Sequence, residues 1–164
     1  MAESLFISAD ISNKAAVYAE LIPQVKALLT GEKDPIATFS NAAAAIQQVF
    51  QHHWTGFYLV RGEELVLGPF QGPIACTRIA FGKGVCGTAW KENRTVVVDD
   101  VEQFPGHIAC SALSKSEIVL PLHNPAGEVI AVLDIDSAHL AAFDEADQLG
   151  LEQICRIVTA QIYS

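Results

Sequence analysis

Positive charge is scarce in this chain. Lysine and arginine number 10 against 19 aspartates and glutamates, for a formal net charge of −9 at pH 7 and an isoelectric point near 4.8. Such a field repels phosphate backbones and anionic lipid head groups, so neither nucleic acid nor a membrane surface is an expected partner. Long apolar runs are missing too; none approaches the roughly 18 residues that a membrane span requires. The N-terminal stretch has no basic region and only a short, interrupted apolar segment, which predicts no signal peptide and a cytoplasmic location. There are only 4 cysteines and no Cys-x-x-Cys knuckle. In a cytosolic chain they are expected as thiols, metal ligands or redox groups rather than as a structural disulfide framework.

What is present points to one folded unit. Charged residues make up 18% and hydrophobic ones 51%, which excludes a disordered chain. At 164 residues, a single domain buries roughly 70% of its unfolded surface without disulfide or metal staples. With no repeat, low-complexity tract or linker, the expected domain is residues 1–164. Ser12 or Asn13 can cap a helix running to Leu29, with Pro23 implying a kink or break and Gly31 a stop. Asp34 and Pro35 start a second helix that ends near His52. Strands follow at Trp54–Val60 and Glu64–Leu67, joined as a hairpin, then at Ala75–Phe81 after a loop over 68–73. A Gly-rich turn over 82–87 leads into a short helix ending near Asn93. Thr95–Val98 is a strand, and Asp99–Ser116 a long polar segment of the kind that carries function. Strands Ile118–Leu122 and Glu128–Ile135 precede a terminal helix opened by Asp144 and Glu145, with Leu149, Ile154, Ile157, Val158 and Ile162 as its apolar face. Helices over about 12–52, a sheet with its loops over 54–136 and a closing helix over 144–163 describe an α+β fold with an antiparallel sheet.

The cysteines divide. Cys155 sits on the apolar stripe of the last helix and reads as a buried, inert thiol. Cys76, Cys86 and Cys110 each lie at a loop or turn. Cys86 opens a helix, where the dipole lowers a thiol pKa, and a protonated His107 would favour a thiolate at Cys110. Two chemistries compete here. One is redox: a thiolate attacks, becomes a sulfenic acid, and a second thiol resolves it as a disulfide. The other is a zinc site built from Cys76, Cys86, Cys110 and His107. His52, His53, His123 and His139 show no metal spacing and read as solvated.

Strand alternation puts Asp134 and Asp136 on one face with Ile130 and Val132. Carboxylates leaving a buried strand need a cation, hydrogen-bond donors or a proton. Paired acids can hold an ammonium group or supply that proton. Glu117 precedes another apolar strand. Trp54, Phe57 and Tyr58 supply either core packing or an apolar wall for a small ligand.

Residues 54–58 (Trp-Thr-Gly-Phe-Tyr), 67–72 (Leu-Gly-Pro-Phe-Gln-Gly), 74–76 (Ile-Ala-Cys), 82–89 (Gly-Lys-Gly-Val-Cys-Gly-Thr-Ala), 106–110 (Gly-His-Ile-Ala-Cys), 116–122 (Ser-Glu-Ile-Val-Leu-Pro-Leu) and 132–137 (Val-Leu-Asp-Ile-Asp-Ser) closely resemble the free methionine-(R)-sulfoxide reductases. These are single GAF-domain enzymes. The resemblance implies a six-stranded antiparallel sheet flanked by helices, a homodimer, no cofactor, and reduction of free L-methionine (R)-S-oxide with thioredoxin as electron donor. It implies Cys110 as nucleophile, Cys76 as resolving thiol and Cys86 as an alternative resolving or relay thiol. Glu117, Asp134 and Asp136 would hold the substrate ammonium and sulfoxide oxygen, and Trp54 and Tyr58 its methyl and thioether end. The rival readings are a GAF sensory module that binds a small ligand without chemistry, and a zinc-bound structural domain.

Overall fold

The computed structural model describes residues 4–108 and 110–164. Asn13 caps α1 (Lys14–Leu29) by accepting the Ala16 N–H, and Asp34 caps α2 (Pro35–Phe50) on the N–H groups of Ile36 and Ala37. A side-chain acceptor followed by proline at the first helical position sets this second start. Pro23 does not break α1. Pro23 and Ala19 both lie on the exposed face, so water can take the Ala19 carbonyl that proline leaves without an N–H partner.

Strands β1 (Trp54–Arg61), β2 (Glu64–Gln71) and β3 (Arg78–Ala80) lead into α3 (Gly84–Glu92). Then come β4 (Val96–Val98), β5 (Ser116–His123), β6 (Val129–Ser137) and α4 (Glu145–Ile162). The six strands form one antiparallel sheet in the order β3-β2-β1-β6-β5-β4, as expected for this α+β class. Three local expectations change. The second strand continues through Gly68, Pro69 and Phe70, because Pro69 falls where the β1–β2 register shifts and needs no ladder donor. The third strand starts at Arg78 rather than Ala75. The polar segment contains a 3-10 turn over Val101–Gln103, tied to the sheet by the Val101 N–H on the Lys115 carbonyl at 2.9 Å.

Alternation divides the sheet into two faces. Phe57, Leu59, Ile118, Leu120, Leu133 and Ile135 pack under α1, α2 and α4. Trp54, Tyr58, Val119 and Val132 face the other way, towards Val85, Cys86 and Ala89 of α3. On α4, Leu151, Ile154, Cys155 and Val158 are buried, but Leu149 is 54% exposed; two residues from Leu151, it points off the stripe. His52 is not solvated either. Its ring lies 5.5 Å from Phe50 and 5.2 Å from Phe143, and burial pushes its pKa down to about 4.

Candidate active site

Strand register, not sequence proximity, assembles the acids. In the β5–β6 ladder Glu117 stands opposite Asp136 and Val119 opposite Asp134; on the other side of β6, Asp136 pairs with Trp54 and Asp134 with Gly56. Like charges set opposite one another across a sheet repel. Burial, then the charges of Asp134 and Asp136, holds the Glu117 carboxyl well above its usual range. Asp136 is raised by burial and by Asp134. Asp134 is raised by burial too, with hydrogen bonding from Glu117 and Cys86 pulling the other way. His107 brings Nε2 to 3.9 Å from Glu117 Oε1, but burial lowers the histidine's own pKa. No lysine or arginine among the described residues forms a salt bridge with the three acids. The cluster therefore keeps protons that exposed carboxyls would lose.

The thiols lie around this cluster. Cys76 and Cys110, 34 positions apart, form a disulfide with their Cα atoms 5.5 Å apart. That bond uses two of the four ligands that a zinc site with Cys86 and His107 would need, so that set is not assembled. Cys86, in the first turn of α3, is buried with its Sγ 4.0 Å from Glu117 Oε2. Its expected low pKa is reversed: burial and the charges of Asp134, Glu117 and Asp136 push the thiol up, outweighing one helix terminus. Cys155 is buried and unbonded, as its apolar stripe predicted.

The aromatic wall also holds a loop. Trp54 Nε1 donates to the Pro73 carbonyl at 3.1 Å, and the Tyr58 hydroxyl donates to the Cys76 carbonyl at 2.8 Å. Trp54 stacks between Tyr58 and Phe70 at 5.8 and 5.2 Å. This stack needs Gly56, where a Cβ would come within 2.4 Å of Phe70 Cβ and 2.6 Å of the Trp54 ring. Trp54, Tyr58, Cys86, Cys110, Glu117, Asp134 and Asp136 all line one cavity of about 40 Å³. Cys76 does not line it but is bonded to Cys110, which does. Chemically, this is a small chamber with a disulfide at its edge, proton-holding acids on its floor and an aromatic wall.

Comparison with known proteins agrees with that chemistry. A GAF-domain family model matches residues 32–162. The Escherichia coli free methionine-R-sulfoxide reductase is 48% identical over 143 residues, covering 87% of this chain and 86% of that protein. This chain belongs to the GAF-domain family of free methionine-R-sulfoxide reductases. The family's crystal structure from Neisseria meningitidis, solved in complex with its substrate, superposes with a TM-score of 0.94 at 50% identity, covering 98% of this chain and 96% of that one. GAF domain-containing protein A of Dictyostelium discoideum is 57% identical over 159 residues, 96% of this chain and 99% of that protein. Membership in this reductase family places the chain among the oxidoreductases.

Some residues around the reductase-family cavity had no sequence signal. His53, read as solvated, lines the cavity and sets its Nε2 3.0 Å from the Ser111 hydroxyl. Lys83 and Ser114 line the cavity as well. Lys83 sits inside the Gly-rich turn over 82–87 that leads to Cys86. Gly84, with φ +60, has no Cβ to meet the Ile108 side chain at 3.1 Å, which lets α3 start beneath the loop that carries Cys110.

Proposed function

We propose that this protein reduces free L-methionine (R)-S-oxide to L-methionine, using Cys110 as nucleophile and Cys76 as resolving thiol. The observation that carries the reading is the Cys76–Cys110 disulfide beside a cavity lined by Glu117, Asp134 and Asp136. Ionised members of that acid group bind the substrate ammonium, while a protonated one hydrogen-bonds the sulfoxide oxygen. Trp54 and Tyr58 face the methyl and thioether end, and Lys83 offers a cation for the substrate carboxylate.

The Cys110 thiolate attacks the sulfoxide sulfur as the acid protonates its oxygen. The oxygen ends on Cys110 as a sulfenic acid and methionine departs, so the substrate has gained two electrons and the thiol has lost them. Cys76 then attacks Cys110 sulfur, the S–S bond forms and the sulfenic oxygen leaves as water. Thioredoxin returns the two electrons by dithiol exchange through a mixed disulfide. No cofactor enters this cycle. Groups paired with the α-ammonium and α-carboxylate of a free amino acid discriminate against methionine sulfoxide within a polypeptide, which lacks both charges. On this reading one GAF domain over residues 1–164 carries out the reaction, in the cytoplasm and as a homodimer; sedimentation at micromolar concentration would test the dimer, and a monomer there would overturn it.

The test is chiral analysis of racemic free methionine sulfoxide after incubation with the protein and dithiothreitol. Loss of the R epimer with stoichiometric methionine is expected. Folded, reduced protein that consumes neither epimer would overturn the proposal and leave a ligand-binding GAF module.

A further inference from the structure

The cycle above makes no use of Cys86. Its sulfur, a Glu117 oxygen and an Asp134 oxygen all lie within 4.8 Å of one another, and all three residues are buried. Asp134 is only 6% exposed, yet its Oδ1 has no hydrogen-bond partner, a costly state for a buried carboxylate oxygen. Asp134 also lines the cavity, whose 40 Å³ is ample for an ion and a water. These features call for a cation.

The donor set says which kind. A metal must displace the protons held on Cys86 and the acids, and the resulting thiolate and two carboxylates make a borderline site that suits zinc and its analogue cobalt(II), while magnesium and calcium want oxygen alone. Zinc bonds of about 2.0–2.3 Å at tetrahedral angles put ligand atoms roughly 3.5 Å apart. The Cys86–Glu117 pair at 4.0 Å needs to close by about half an ångström. We propose that Cys86, Glu117 and Asp134 form a binding site for a zinc-type divalent cation. The fourth position faces the cavity, open to water or to His107, whose Nε2 is already 3.9 Å from Glu117. If the function proposed above holds, this is also the seat of the substrate ammonium, and metal and substrate exclude one another.

The disulfide-closed, full-length protein is the right test object, because its free thiols are Cys86 and Cys155. Titration with Co²⁺ alone is expected to load one ion per chain and to produce near-ultraviolet thiolate-to-cobalt absorption that one equivalent of Zn²⁺ removes. Cys86→Ser should abolish that absorption and Cys155→Ser should keep it. Asp134→Asn, which preserves shape, should weaken cobalt binding at least tenfold. Absence of the absorption in the unmodified chain, its survival in Cys86→Ser, or unchanged affinity in Asp134→Asn would each overturn the site. The readout needs no turnover. A chain that binds cobalt this way but reduces no sulfoxide keeps the metal site and loses the proposed function, and the reverse result does the opposite.

Discussion

Cys76 and Cys110 differ in what surrounds them, and that difference assigns their proposed roles. Cys110 lines the cavity with the acids, whereas Cys76 sits outside it on the loop held by Tyr58. Cys110→Ser is therefore expected to abolish even the first turnover. Cys76→Ser should release about one methionine per chain and then stall, with thioredoxin-supported cycling down at least 100-fold. Quenched single-turnover assays on reduced protein read both amplitudes; a full first turnover from Cys110→Ser would remove it as the attacking thiol. At this scale the sequence was partly legible. Residue types and loop settings singled out three thiols, and alternation put Asp134 and Asp136 on one face. The direction of the Cys86 shift was not legible, because it depends on burial first and then on three acids carried by two strands.

Elements with local causes were read well. Side-chain caps and a first-turn proline mark α2, and Asp144 marks α4, where it completes a capping box with Asp147. The extension of β2 past Pro69 was missed because a proline in a strand is tolerated only where pairing lapses, and pairing is a property of the neighbouring strand. Gly56 sits in that irregular stretch. Gly56→Ala pushes a methyl group into Phe70 and Trp54, an overpacking cost of about 1–3 kcal/mol. For a domain of this length that lowers the melting temperature by roughly 2–4 °C per kcal/mol. Because the displaced ring is the proposed thioether wall, KM for methionine sulfoxide with dithiothreitol should rise several-fold in the same variant. A lowered melting temperature with unchanged KM would separate the wall from substrate binding.

Over the whole molecule, two buried groups set opposite pH trends. His52 resists protonation in the folded state, its pKa lying near 4 against an ordinary 6.5. Between those values the unfolded chain binds more protons, so stability falls as pH drops from 6.5 towards 4, by up to about 3 kcal/mol. Glu117, Asp134 and Asp136 are raised. Their folded forms hold more protons than the unfolded chain once pH exceeds the ordinary carboxyl range, so stability falls as pH rises through their folded values. Thermal melts of the oxidised protein should therefore peak in mild acid. His52→Phe, which keeps the ring stack with Phe50 and Phe143, should flatten the loss below pH 6.5; an unchanged slope would mean that another group controls it. The strand order that gathers these acids was beyond sequence reasoning on local pattern, since β1, β5 and β6 meet through long-range pairing.

The indole of Trp54 grips the loop three residues ahead of Cys76, so oxidation and reduction of that cysteine occur within reach of a natural fluorophore. The chain has 2 tryptophans, and Trp90, at the end of α3, meets Phe81 edge-on with their ring centroids 4.7 Å apart. In a Trp90→Phe background, the emission of Trp54 alone should brighten as the neighbouring disulfide opens. The molecule then reports its own electron count in real time, with no dye and no coupled assay.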